Sequence, residues 1–276
     1  EEGASMNIPT RQGVRNHVFY ELTRSLCPEC RQVVDAQVLI CNHAVYLRKY
    51  CPEHGWHEAL VSSDADWHLN SLKFNKPGSI PQEFATKVKD GCPRDCGLCP
   101  EHQQHICIGV IEITSRCNLN CPTCFADAGQ GYDLSLPQVE AILNRLTVTE
   151  HEPEIVQISG GEPTIHPQIL DILEAAKSRN IRHIMLNTNG IRLAQDPDFV
   201  RQLAYYEPTI YLQFDGLTAH TYDVLRGRDL LAIKQAALDH LAEAGMYAIL
   251  VATIAQSINE GEIGDILRYG VKHPAV

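Results

Sequence analysis

The chemistry of this 276-residue chain is concentrated in its eleven cysteines, which fall into three consecutive groups. Cys27, Cys30, Cys41 and Cys51 come first, Cys92, Cys96, Cys99 and Cys107 next, and Cys117, Cys121 and Cys124 last. An odd number of thiols with no secretory pattern at the N-terminus argues against a disulfide framework. Thiolate is the form that binds iron or zinc, so these spacings read as metal sites in a reducing, cytoplasmic setting.

The third group, Cys117-Asn-Leu-Asn-Cys121-Pro-Thr-Cys124, has C-x₃-C-x₂-C spacing. Three thiolates so placed can hold three irons of a [4Fe–4S] cluster and leave the fourth open to an exchangeable ligand. A structural zinc or an ordinary electron-transfer cluster is the competing reading. Downstream, Ser159-Gly160-Gly161-Glu162-Pro163 offers paired glycines for close backbone approach and a carboxylate able to take an ammonium group.

The second group, Cys92-Pro-Arg-Asp-Cys96-Gly-Leu-Cys99, repeats the spacing, with Cys107 close by. It reads as an auxiliary [4Fe–4S] cluster closed by Cys107, with His102 or His105 as alternative fourth ligands and structural zinc as the competing metal. The first group contains Cys27-Pro-Glu-Cys30 and Cys51-Pro-Glu-His54, ordinary spacing for one tetrahedral zinc or iron. His54 is preferred as fourth ligand, and Cys41 is the alternative. His57, His166, His220 and His240 read as surface or satisfied core residues.

The elements that must position these groups follow from hydrophobic pattern. From Ile108 the chain alternates strands and helices, the signature of a parallel sheet with crossover helices. Strands are expected at 108–114, 155–158, 181–186, 210–214 and 247–254, and helices after Ser135, at 169–176, 199–204, 230–244 and 261–269. Ser135 with Gln138 forms a capping box, and Gly245 closes the fourth of these helices. Such units close into a barrel or open into a doubly wound sheet. Either way Cys117–Cys124, Ser159–Pro163, Asn187–Gly190 and Asp215 share the rim at the strands' C-terminal ends.

Formal charge is −11, with 23 basic and 34 acidic residues, which argues against a nucleic-acid footprint. No apolar run is long enough to span a membrane.

Cys117 to Cys124 together with Gly160 to Pro163 resembles the radical S-adenosylmethionine (radical SAM) superfamily. The resemblance implies that the open iron binds S-adenosylmethionine and that an electron cleaves it to methionine and a 5′-deoxyadenosyl radical. It implies that Gly160, Gly161 and Glu162, within the turn ending at Pro163, meet the methionine amino group. Asn189 and Asp215, with Asn187, Gln213 and Thr253, are candidates for ribose, carboxylate or substrate. Thr123 departs from the pattern, since an aromatic residue often precedes the last cluster cysteine.

The run from Gly91 to His102 and the two Cys-Pro-Glu elements resemble a subgroup holding the archaeal tetraether lipid synthases and the dihydropterin methyltransferases. The implied fold is α/β, a partial (β/α)₆-type barrel apparently truncated after its fifth unit, preceded by small cysteine-rich metal-binding segments. The expected division is a rubredoxin- or zinc-ribbon-like segment at 1–65, a linker and auxiliary-cluster segment at 66–107, and an incomplete core at 108–276. The implied chemistry is C–C bond formation, by methyl transfer or alkyl coupling, on a pterin-like or lipid substrate. A donor such as ferredoxin or flavodoxin would supply the electron. The alternative is an iron–sulfur electron-transfer or structural metal protein. A pterin would require acidic or amide partners, and a lipid an apolar tunnel.

Overall fold

The computed structural model describes residues 16–75, 80–95, 97–100, 105–124, 126, 128–129 and 131–276. The chain forms two compact units, Glu1–Ser79 with Phe84–Gln103, and Ile80–Glu83 with Gln104–Val276. Of the span 66–107, residues 66–79 and 84–103 fall in the first unit and 80–83 and 104–107 in the second.

The first unit is an antiparallel meander of β1 (Val18–Leu26), β2 (Val33–Cys41), β3 (Ala44–Cys51) and β4 (Gly55–Ser62), followed by α1 (Ala65–Ser71). Asn42 and His43 both have positive φ, 48° and 61°, as a two-residue β2–β3 hairpin turn requires. Asp64 caps α1 by accepting from the Trp67 N–H at 2.8 Å. The core here is small: Val38, Val45 and Ala65 are buried together, with Ile40 and Leu47 packed against them. Further along, Asp95 Oδ2 accepts from the backbone N–H groups of Lys89, Asp90 and Gly91, folding the segment that carries Cys92.

The second unit contains β5 (Gly109–Thr114), α2 (Leu136–Glu150), β6 (Ile155–Gly160), α3 (Ile169–Lys177), β7 (His183–Thr188), α4 (Ile191–Gln195) and α5 (Pro197–Tyr206). It continues through β8 (Thr209–Gln213), α6 (Ala219–Arg226), α7 (Leu231–Glu243), β9 (Ala248–Val251) and α8 (Ile263–Lys272). All strand pairs are parallel and the order is sequential, β5-β6-β7-β8-β9. Sequential order is that of a barrel wall. A doubly wound sheet would reverse its order at a switch point.

Strand alternation divides the two faces. Ile111, Ile113, Val156, Ile158, Ile210 and Leu212 are buried in the core shared with the helices. Each such side chain contributes about 1.5–3 kcal/mol by leaving water. The intervening residues, among them Glu112, Gln157, Asn187, Tyr211 and Gln213, line the concave side instead.

The expected capping box is present, with the Ser135 N–H donating to Gln138 Oε1 at 2.9 Å, and Gly245 follows α7 at φ 67°. Helix α5 is longer than its apolar pattern, because Asp196 caps it through the Phe199 N–H at 3.0 Å. Strand β9 is shorter than the 247–254 run. Beyond Val251 the chain turns, and the Thr253 N–H donates to Asp215 Oδ1 at 3.0 Å. Among the described residues no helix is long and apolar enough to cross a membrane.

Candidate cluster and cofactor site

The cysteine loop begins where β5 ends, and its first residues are fixed by charge. Arg116 pairs with Asp133 through Nε at 3.0 Å and Nη2 at 2.5 Å, while Thr114 Oγ1 donates to Asp133 Oδ1 at 2.6 Å. The Arg116 guanidinium, with the Thr114 hydroxyl, holds the Asp133 carboxyl below the usual range against the opposing effect of burial.

The glycines are required by the backbone itself. The Gly161 N–H donates to Thr114 O at 2.7 Å and the Glu162 N–H to Arg116 O at 2.8 Å. A Cβ on Gly160 would sit 2.2 Å from Thr114 O, and one on Gly161 2.2 Å from Arg116 O. Gly160 also has φ 139°. The Gly-Gly-Glu turn is therefore stitched to the start of the cysteine loop.

Two further bonds tether that loop. Asn189 Nδ2 donates to Asn118 Oδ1 at 2.7 Å, and Thr123 Oγ1 donates to Leu225 O, near the end of α6, at 2.9 Å. The departure at Thr123 thus has a structural use.

Glu162 is buried, with its carboxylate pointing along the strand ends. Oε1 accepts from the Thr164 N–H at 3.0 Å and the Thr188 hydroxyl at 2.8 Å, and Oε2 from the Asn189 N–H at 2.7 Å. Pro163, also buried, opens the short 3₁₀ turn that aims it.

Asp215 is fully buried and does not line the cavity. Its carboxylate takes Arg226 in a bidentate pair at 2.7 and 2.8 Å, and Arg226 lines the cavity in its place. Asp215 is thus placed to orient the guanidinium rather than to touch a ligand.

Below this layer lies Lys234, fully buried on α7, donating to Asn189 O at 2.5 Å and Gln213 Oε1 at 2.7 Å. Burial pushes its ammonium down to about 7, with Arg226 adding to the shift and the Asp215 and Glu162 carboxylates opposing it. Arg226 and Lys234 are the functional residues that sequence reasoning missed. Lys234 left a signal: it shares a helical stripe with the buried Ala237, Leu238 and Leu241.

Arg226, Gln213 and Asn189 help line a cavity of about 580 Å³, with Cys117, Cys121, Cys124 and Glu162 at one end and Val110, Glu112, Gln157 and Tyr211 at the other. That volume suits a cofactor-sized molecule. Burial pushes the Cys117 thiol up, and Glu162, Cys121 and Cys124 push the same way against one N–H from Leu119 at 3.4 Å. Three thiols on one loop that lines this cavity are the kind of donor set an iron–sulfur cluster takes.

In the first unit, Cys27, Cys30, Cys51 and His54 bring their ligand atoms within 4.8 Å of one another, a spacing that fits one ion. Burial opposes ionisation of Cys27, yet the Cys30 and Glu29 N–H groups and the adjacent thiols hold it down to about 6. Cys41 sits at the far end of the nine-residue β2, at the hairpin turn.

Cys96 and His102 lie outside the described residues. Cys92 is exposed and Cys99 buried in the first unit. Cys107 is exposed in the second unit, its Sγ 3.5 Å from His105 Nε2. His166 is buried, with Nε2 2.9 Å from Leu134 O, and serves packing.

The sequential parallel strands, three-cysteine loop and Gly-Gly-Glu turn define a class, and the family comparison agrees. Residues 111–270 match the Radical SAM superfamily, and the chain belongs to it. Residues 19–63 match the HMPTM N-terminal zinc ribbon domain. A 7,8-dihydro-6-hydroxymethylpterin dimethyltransferase of Methanocaldococcus jannaschii is 36% identical over 256 residues, covering 91% of this chain and 50% of that protein. Mycofactocin maturase MftC of Mycobacterium ulcerans is 30% identical over 60% of this chain and 45% of its own length. The chain therefore spans about half the length of these curated relatives. A solved structure of hexahistidine-tagged anSMEcpe with bound AdoMet shares the fold at TM-score 0.50 and 19% identity, covering 59% of this chain and 47% of that one.

Proposed function

We propose that this chain supplies the cluster and S-adenosylmethionine site of an enzyme that forms a C–C bond, by methyl transfer, on a pterin-like heterocycle. The observation that carries the reading is the cavity, which joins the three-thiol loop and Glu162 to a floor of polar side chains. The relative named as a pterin dimethyltransferase supports the same substrate class.

In this reading Cys117, Cys121 and Cys124 hold a [4Fe–4S] cluster. When bound, that cluster supplies the electron for reductive cleavage of S-adenosylmethionine. Gly160 and Gly161 bring the cysteine loop against the strand ends, and Glu162 and Asn189 fix the polar rim beside it. Arg226, held by Asp215, offers a guanidinium suited to a carboxylate. Cys27, Cys30, Cys51 and His54 hold one zinc or iron. An auxiliary cluster on Cys92, Cys96 and Cys99, and a ferredoxin or flavodoxin donor, complete the proposal.

The test is anaerobic reconstitution with iron and sulfide, followed by dithionite reduction. The chain should give an electron paramagnetic resonance signal that S-adenosylmethionine perturbs, and should release 5′-deoxyadenosine. Cys117→Ala should lose both. Iron absent from folded protein would overturn the reading in favour of a structural zinc protein. Turnover kept by Cys117→Ala and lost by Cys92→Ala would move the cofactor site to the second cysteine group.

A further inference from the structure

The floor of the cavity is a layer of side chains running across the sheet. Glu112 pairs in register with Ser159 on β6, the Asn187 amide donates to Ser159 Oγ at 3.1 Å, and Asn187 pairs with Tyr211 on β8. Two residues deeper, about 7 Å at ~3.3 Å per residue, Val110 pairs with Gln157. The cysteine loop and Glu162 close the other end.

Among the described residues two carboxylates line this cavity, and they differ in commitment. Glu162 already accepts from Thr164, Thr188 and Asn189. Glu112 makes no hydrogen bond or ion pair among the described residues, and neither does the Gln157 amide. Water satisfies both groups while the cavity is open. A molecule filling the cavity displaces that water, and binds well only if its own polar edge replaces it. Val110, on the strand of Glu112 and paired with Gln157, and the Tyr211 ring, across the same cavity on β8, offer apolar surface that suits a flat ring.

We propose that Glu112, with Gln157, is the recognition edge for the substrate heterocycle, and that it reads a 2-amino-4-oxopyrimidine ring. The inference rests on the pterin reading above and names the residues that would enforce it. In that ring the 2-amino group and the adjacent ring N–H are parallel donors on one trigonal carbon. They match the two oxygens of a carboxylate as an arginine fork does. The Gln157 amide donates to the neighbouring 4-oxo group, and Tyr211 stacks on the ring face. Glu112 therefore determines specificity, while the reaction occurs at the opposite end of the cavity.

The experiment titrates 7,8-dihydro-6-hydroxymethylpterin, and its counterpart with oxygen in place of the 2-amino group, into the reconstituted chain with S-adenosylmethionine present. Binding is read by calorimetry, so no turnover is needed. The wild type should prefer the amino compound by about tenfold or more, as a site built around a hydrogen bond does. Glu112→Gln should weaken the amino compound by about 10- to 100-fold and erase the preference. Gln157→Leu should weaken both compounds, since both keep the 4-oxo group. An unchanged paramagnetic signal with S-adenosylmethionine in each variant would show that the site is still formed. A Glu112→Gln protein that keeps affinity and preference would overturn the anchor and leave the pterin reading standing. Equal wild-type binding of both compounds would do the same. A wild type that binds neither would overturn the pterin reading, and the anchor with it.

Discussion

The two units place their thiols in opposite ways. In the first, four ligands gather at the β1–β2 and β3–β4 connections, at the other end of the strands from the small cluster of Val38, Val45 and Ala65. In the second, three thiols sit on a loop above a core that extends from Ile111 to Ala275. Buried polar residues, Glu162, Asp215 and Lys234, hold its rim. The contrast teaches where the folding free energy must come from. A site that closes on four ligands lets its ion act as core, as in small metal-dependent domains. A site that offers three must be built by the protein, because the remaining position belongs to a ligand.

Metal removal should expose that difference most strongly. Chelation, or Cys27→Ala, is expected to erase amide exchange protection across β2 and β3 while β5 to β9 stay protected. So small an apolar core rarely stands without a staple. Protection retained in β2 and β3 after metal loss would break the contrast.

The next effect is local. Gly161→Ala puts a methyl group 2.2 Å from Arg116 O, a backbone atom that moves only if the cysteine loop moves. We expect a cost of about 1–3 kcal/mol and the loss of most cluster absorbance, with helix content unchanged by circular dichroism. A variant that reconstitutes like the wild type would mean that the loop is not stitched by this turn.

Much of this was legible in the sequence, for physical reasons. Strand–helix alternation from Ile108 gives the parallel sheet, because short runs rich in β-branched residues alternate with longer stretches at helical spacing. Short helices carry few apolar residues: α4 and α6 escaped notice because Ile191–Gln195 and Ala219–Arg226 are too brief to show a stripe. The cysteine spacings singled out Cys27, Cys30, Cys51 and His54, whose ligand atoms converge. They did not show that the glycines answer to Thr114 and Arg116, since backbone approach leaves no trace in side-chain pattern. Asp215 was visible at a strand end, but its partner Arg226, eleven residues on, was not. Only the fold brings a helix end back to that rim.

Lys234 sharpens the comparison at the level of the buried network. Its ammonium is held at about 7 by burial, against an ordinary value of 10.5. Between these values the unfolded chain holds the proton and the folded chain does not, so the contribution of Lys234 to stability rises with pH. The stability of the wild type relative to Lys234→Met should therefore increase by on the order of 2 kcal/mol from pH 7 to pH 9, measured by urea unfolding of the second unit. A difference flat in pH would mean that the lysine stays charged in the core.

The smallest effect is expected at Cys41, and it tests the closed site from the other side. Cys41 shares the metal-type chemistry of its neighbours but stands at the β2–β3 turn, while the converging set is Cys27, Cys30, Cys51 and His54. A single hairpin cannot bring both of its ends to one ion, so the fold itself separates Cys41 from the site. Cys41→Ser should keep one metal equivalent on the first unit and change its stability by no more than about 0.5 kcal/mol. His54→Ala should lose the metal. The reverse pair of results would put Cys41 in the ligand set as a fourth thiolate, and would require the β2–β3 hairpin to refold around the ion.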